Sequence, residues 1–279
     1  MLHNCPIKTH VHNGLTIEGY SRAAVQSYWR ISEMKLGFDL GAQPWDFMGT
    51  PTWFISHTHL DHVAALPVYV ARRRMMKMEP PTIYVPEVAV GGVQSFLTSA
   101  SRLDRGRLPC NIVGVEPGQE IKLSRELAVT VHETKHTLPS VGYVVWQRRQ
   151  KLKPEYQGLE GDQIRDLRLA GTEVSEEVRL PKLAYLGDSR IEGLDNNPVM
   201  YEAEVLIMEM TFVAPEHRSH LIRKMGHIHL DDIVARQDKF KNEVVLAGHL
   251  STRYHPRQVE KLVAKSLPDA LDGRFVIWL

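Results

Sequence analysis

Six consecutive residues carry the densest chemistry in the chain: His57-Thr58-His59-Leu60-Asp61-His62. In an extended segment, residues two apart point to the same side, so His57 and His59 can grip one ion together. Asp61 and His62 stand where the chain turns toward a helix and can face a second ion. Imidazole nitrogen and carboxylate oxygen are borderline-hard donors that suit zinc first, with manganese or iron as alternatives. Four such residues in a chance surface cluster would rarely fall directly between a β-run and a helical pattern.

The flanking elements make that placement specific. Thr52 to Ser56 (TWFIS) is a short apolar run of β-formers, the pattern of a buried strand. A helical pattern follows over Val63 to Met78 and stops before Pro80-Pro81. Strands are expected at Gly14 to Gly19, Lys35 to Leu40, Thr82 to Val85, Leu127 to His132 and Val141 to Gln147. Further strands are expected at Lys182 to Leu186, Glu204 to Met208 and Glu243 to Ala247, with helices at Glu87 to Ser101, Asp162 to Leu169 and Leu230 to Phe240. Strand runs at both ends with mixed elements between fit a layered α/β sandwich better than an alternating barrel. The expected organisation is one domain over 1–279 with a short polar insertion at about 148–181.

Composition narrows the class. Hydrophobic residues make up 43% and charged residues 24% of 279, which supports a sizeable core. Lys plus Arg (34) nearly cancels Asp plus Glu (33), so any nucleic-acid binding must rest on a local patch rather than a global field. Only Cys5 and Cys110 are present, which excludes a disulfide framework or a cysteine-rich zinc module and points to a cytoplasmic protein. No apolar run has the length of a membrane span. The 14 histidines are the unusual count.

Beyond HTHLDH, three stretches follow in order: KHTLPSVGY with His136, YLGDS with Asp188, and GHLSTRY with His249. Together they resemble the ligand motifs of the metallo-β-lactamase superfamily. Their wording, with KLKPEYQGL at 151–159, MEMTF at 208–212 and GHIH at 226–229, is similar to the ribonuclease Z group of tRNA 3′-processing endonucleases, short-form branch. The resemblance covers the chain from about Lys35 to Leu279 and implies a four-layer αββα sandwich. It implies that His57, His59 and His136 hold one divalent metal, that Asp61, His62 and His249 hold the other, and that Asp188 bridges them. A pair of cations suits phosphodiester hydrolysis, because it activates water and neutralises charge growing on phosphate oxygens.

The same resemblance marks Glu209 and His227 as a relay in which His227 protonates the leaving oxygen and Glu209 orients it. A histidine titrating near neutrality suits that task. Asp61 can double as a proton acceptor. Arg253 is a candidate phosphate contact, since guanidinium binds phosphate oxygens in a fork. Arg148, Arg149, Lys151 and Lys153 are candidates for a short RNA-gripping arm, and Arg72 to Arg74 read as an exposed helix face. His229 is unassigned, and His3, His10, His12, His132, His217, His220 and His255 are expected to have no catalytic role.

Some stretches depart from the group's pattern. FDLGAQPW at 38–45 differs from the commoner wording, Ser189 follows Asp188 where Thr is usual, and Tyr20 to Trp29 replace a basic loop. The leading expectation is removal of 3′ trailers from tRNA precursors. The alternative is hydrolysis of a smaller phosphodiester or other ester on the same fold. A non-catalytic binding module is disfavoured, because buried carboxylates and histidines without metal would be costly. Members of the group commonly pair, so a homodimer is expected.

Overall fold

The computed structural model describes residues 5–215 and 224–279. Two seven-stranded sheets form its middle, each in chain order. The first comprises β1 (Lys8–His12), β2 (Leu15–Arg22), β3 (Gln26–Ile31), β4 (Leu36–Leu40), β5 (Thr52–Phe54), β6 (Thr82–Pro86) and β7 (Asn111–Val115). β1 to β4 pair antiparallel and β4 to β7 parallel. The second sheet repeats the plan. β8 (Glu120–Lys122), β9 (Leu127–Glu133), β10 (Val141–Leu152) and β11 (Ser175–Tyr185) are antiparallel. β12 (Val205–Glu209), β13 (Val244–Gly248) and β14 (Phe275–Ile277) then add in parallel.

Parallel neighbours need crossover connections, which place helices on the outer faces. α1 (Leu60–Val63), α2 (Leu66–Met75) and α3 (Val90–Asp104) lie in the crossovers of the first sheet. Trp53 and Ile83 of that sheet pack with Tyr69 and Leu97 from these helices. Four helices cover the second sheet: α5 (Ile191–Asp195), α6 (Val199–Glu202), α7 (Leu230–Val234) and α8 (Pro256–Ser266). There Leu206 and Val245 meet Leu194, Met200 and Val259. Between the sheets, Trp29, Phe38 and Phe54 meet Tyr143, Tyr185 and Ile207. Phe38 stacks on Tyr185 at 4.7 Å between ring centres. This is the expected αββα sandwich. β4, β12 and β13 are buried along their whole length, which explains their nearly unbroken apolar runs.

The structure departs from the sequence pattern in four places. The single helix expected over Val63 to Met78 is two, because Pro67 in the first turn of α2 starts a new helix and cannot extend the previous one. The helix expected to reach Phe240 ends at Val234, followed by a 3-10 turn over Gln237–Lys239. The stretch expected as polar insertion begins and ends as strand: β10 runs on to Leu152 and pairs with β11 from Ser175. A turn at Pro154–Tyr156 and α4 (Gly161–Leu169) form its tip. Its outer half leaves the layers, so polar residues occupy both faces and no alternation marks the strand. Finally, Arg72 to Arg74 are not an exposed face. Arg73 is buried and donates to the carbonyls of Met48 and Glu79, Arg72 donates to Gln43, and Arg74 donates to the Arg107 carbonyl.

Candidate metal centre

The candidate ligands come from strand ends that share one rim of the sandwich, the position where open α/β sheets gather ligands. HTHLDH follows β5, His136 lies between β9 and β10, Asp188 follows β11, Glu209 ends β12 and His249 follows β13. One donor set comprises His57, His59, His136 and Asp188, and a second comprises Asp61, His62 and His249, all ligand atoms within 4.8 Å of one another in each. Asp188 lies between the sets, its Oδ2 3.7 Å from His57 Nε2, 3.4 Å from His62 Nε2 and 3.3 Å from His249 Nε2. Residues separated by up to 192 positions, counting 249 − 57, thus meet in one pocket.

The hydrogen-bond network fixes which nitrogen each imidazole turns inward, with tautomers assigned from that network. Ser56 Oγ donates to Asp39, so His57 Nδ1–H donates to Ser56 Oγ at 3.0 Å. His62 Nδ1 donates to Asp39 Oδ2 at 2.7 Å and His136 Nδ1 to the Gly226 carbonyl at 2.9 Å. Thr211 donates to Glu209, so His249 Nδ1–H donates to Thr211 Oγ1 at 3.1 Å. Four Nε2 atoms therefore converge, joined by His59 Nδ1 at 3.0 Å from His57 Nε2 and 3.1 Å from His136 Nε2. Facing lone pairs repel unless a cation lies between them. Nitrogens about 2.0–2.1 Å from a tetrahedral zinc are about 3.3 Å apart, close to the 3.3 Å between His62 Nε2 and His249 Nε2. The donor set therefore fits divalent metal.

Electrostatics agree. Burial, reinforced by neighbouring histidines, holds His57 well below the ordinary histidine value and lowers His59 and His136, so all three keep their lone pairs. Burial opposes ionising Asp188, yet His249 and His62 hold it well below the usual carboxylate range. Asp61 is lowered to about 2 against the pull of burial, chiefly by His249 and His62. Burial likewise opposes a proton on His62, but Asp188 and Asp39 raise it well above its ordinary value, so without metal a proton on Nε2 takes the place that a cation would compete for. The carboxylates of the pocket call for positive charge at its centre.

Glu209 and His227 also meet. His227 Nδ1 donates to Glu209 Oε1 at 2.9 Å, while the backbone N–H of Ser189 and that of Ile228 donate to the same carboxylate. Burial lowers the His227 pKa, but Glu209 and Asp188 outweigh it and raise it to about 9. His227 thus holds a proton at neutrality, beside the candidate ligands at 5.1 Å from the His136 ring and 5.5 Å from the His249 ring.

Asp39, which the motifs did not single out, stands behind His62 and Ser56. Fully buried at the end of β4, it also accepts from the Ser56 N–H at 2.7 Å and from the Tyr185 hydroxyl. Its signal was an acid in a wholly apolar strand, followed by Gly41, where a Cβ would lie 1.8 Å from the Asp61 carbonyl. Asp39 and His249 both adopt left-handed φ, 54° and 56°. Strain of this kind in non-glycine residues gathers at functional sites. Ala24, in the turn that replaces the basic loop, donates its N–H to Asp61 Oδ2 at 2.8 Å.

The substrate candidates are not gathered at this centre. Arg253 is exposed on the turn after His249. Arg148, Arg149, Lys151 and Lys153 lie along the outer half of β10 and just beyond it, where about 3.3 Å per residue puts Arg148 roughly 20 Å from Val141. Arg148 is paired with Glu177 at 2.6 Å. Among the other histidines, His229 caps α7 by accepting from the Asp231 N–H, and His255 caps α8 in the same way through the Arg257 N–H. His12 contacts Glu243, and His132 bonds Thr130 and Asn197. His10 lies on β1, while His3, His217 and His220 fall outside the described residues.

Comparison with known proteins places this constellation in a class. Residues 52–250 match the Beta-lactamase superfamily domain. The chain is 36% identical over 263 residues to "tRNase Z TRZ1" of Arabidopsis thaliana, covering 94% of each. It is 31% identical to "tRNase Z TRZ2, chloroplastic" of the same plant, covering 89% of this chain and 71% of that one. In fold it resembles the metallo-beta-lactamase fold protein YhfI from Bacillus subtilis, at TM-score 0.62 and 14% identity over 92% of each chain. It also resembles human tRNase Z, short form, at TM-score 0.55 and 16% identity, over 88% of this chain and 93% of that one. The chain belongs to the tRNase Z family of the beta-lactamase superfamily. The resemblance carried by HTHLDH and the later motifs is borne out.

Proposed function

We propose that this protein is a metal-dependent endoribonuclease that removes 3′ trailers from tRNA precursors. The observation that carries the reading is the convergence of five imidazoles and two carboxylates on one pocket, with His227 held on Glu209 at its edge. His57, His59 and His136 would hold one divalent ion, Asp61, His62 and His249 a second, and Asp188 both. Bound there, zinc ions would stabilise charge on the phosphate oxygens and lower the pKa of the attacking water.

The chain's own groups do the rest. Asp39, Ser56, Thr211 and the Gly226 carbonyl hold the imidazoles in their inward tautomers. Asp61, ionised at neutral pH, accepts a proton from the nucleophile. His227 uses Nδ1 on Glu209 and so keeps Nε2–H for the departing 3′-oxygen, a poor leaving group unless protonated. The products are a 3′-hydroxyl on the tRNA and a 5′-phosphate on the trailer. Arg253 and the basic residues of β10 extend the reading to RNA backbone contacts.

Incubating the metal-replete protein with a 3′-extended precursor and mapping both product ends tests this. A single cut at the mature 3′ end is expected. Hydrolysis of small diesters with no cut in the precursor would favour the small-ester alternative. A homodimer and a cytoplasmic location belong to the same proposal, read by light scattering and by fractionation. Among the described residues no helix is long and apolar enough to cross a membrane.

A further inference from the structure

A cavity of about 640 Å³ opens beside His136, between the ends of β6 and β7 and the 133–141 loop. That volume falls in the range of small-ligand sites, roughly 300–1000 Å³. Arg190 lines it. Its Nε is shielded from solvent without a hydrogen-bond partner, while the residue as a whole is half-buried. The contrast with Lys135 is informative, since that ammonium on the same wall is already paired with Glu133 at 2.5 Å. A shielded N–H donor left unpaired is destabilising, and an acceptor oxygen of a bound anion would remove that cost.

The position of Arg190 relative to the metal centre is fixed by the backbone. Its N–H donates to the Lys135 carbonyl at 2.7 Å, and the Lys135 N–H donates to Ser189 Oγ at 3.0 Å. These bonds join the loop that carries His136 to the loop that carries Asp188. The Arg190 side chain therefore starts from a backbone position set relative to the candidate ligands. The same cavity is lined by Val88, Pro117, Leu138 and Pro139, which offer apolar surface, and by the exposed Glu87 and Glu116, which offer acceptors. The carboxylates repel a phosphate, which leaves Arg190 as its place. They can accept from a ribose hydroxyl or a base amino group.

We propose that this cavity is a nucleotide subsite in which Arg190 forks onto the phosphate next to the scissile one, with the attached ribose and base against the apolar wall. Its part in the reaction rests on the reading that the centre cuts RNA. The guanidinium has the planar geometry that phosphate recognition uses. A subsite on either side of the cut, upstream or downstream, would present this same ribose-phosphate chemistry.

The test uses metal-replete wild type, Arg190→Ala and Arg190→Lys, with metal content and Tm measured to confirm intact folding. Binding of a fluorescent single-stranded RNA hexamer with hydrolysis-resistant phosphorothioate linkages is read by anisotropy. Arg190→Ala is expected to raise Kd about tenfold, with Arg190→Lys recovering only part of the loss. Precursors carrying one neutral methylphosphonate, immediately upstream or downstream of the scissile linkage, then identify the side. Wild-type KM is expected to rise at one of the two positions, and Arg190→Ala is expected to be insensitive there. An unchanged Kd in Arg190→Ala, or equal sensitivity of variant and wild type to both neutral linkages, would overturn the subsite. If hexamer binding depends on Arg190 but the precursor is not cut, the subsite stands and the tRNA reading falls. If the precursor is cut and binding is indifferent to Arg190, the tRNA reading stands and the subsite falls.

Discussion

The metal centre and the β10–β11 arm are both dense in ionisable residues, yet they use them in opposite ways. At the centre, His57, His62, Asp188 and His249 are buried, and each of these imidazoles has a dedicated partner behind it. On the arm, Arg149 and Lys151 are exposed, and Arg148 is occupied by Glu177. Burial of polar donors with no structural need for them marks chemistry, because such groups are costly unless something binds them. Exposed charge on a protruding hairpin costs little and carries information only through a partner. Changes at the centre should therefore be felt as lost catalysis, and changes on the arm only as weakened RNA binding.

The largest effect is expected from His59→Ala. Because ligands of one centre act as a unit, kcat/KM should fall by on the order of 10³-fold or more, with bound metal falling in parallel by elemental analysis. Full activity with normal metal content would break the comparison at its stronger end. His227→Ala should slow single-turnover cleavage by about 10²- to 10⁴-fold, the range for a lost general acid, while metal content stays at the wild-type level. Loss of metal in that variant would reassign His227 as a ligand.

Asp39→Asn probes the residues that stand behind the ligands. It keeps the shape but removes the charge behind His62, and a metal-competition titration should show affinity weakened by about 10–100-fold. Unchanged affinity would make Asp39 a packing residue. Replacing Arg148, Arg149, Lys151 and Lys153 together should raise KM for precursor about tenfold at low salt and leave hydrolysis of bis(p-nitrophenyl) phosphate unaltered. An equal effect on both substrates would remove the case for an arm.

These residues also differ in how readily the sequence reveals them. HTHLDH is legible because its spacing is local and its flanks name a strand end. His136, Asp188, Glu209, His227 and His249 are each ordinary alone and become legible only in order, through family resemblance. Asp39 shows locally only as an acid in an apolar strand, and its contact with His62 is one that no local pattern encodes. The outer half of β10 is hidden because a strand with solvent on both sides shows no hydrophobic alternation. Arg73 shows the converse, a residue in a basic run that tertiary packing buries against carbonyls. Arg190 follows Ser189 without any motif of its own, and only the cavity and its unpartnered Nε single it out.

Anomalous diffraction from crystals of metal-loaded protein tests the central claim most directly. Two peaks about 3.5–4 Å apart are expected, one among His57, His59 and His136, the other among Asp61, His62 and His249, with Asp188 reaching both. Loaded crystals with no density in that pocket, or with metal bound only at other residues, would contradict the account.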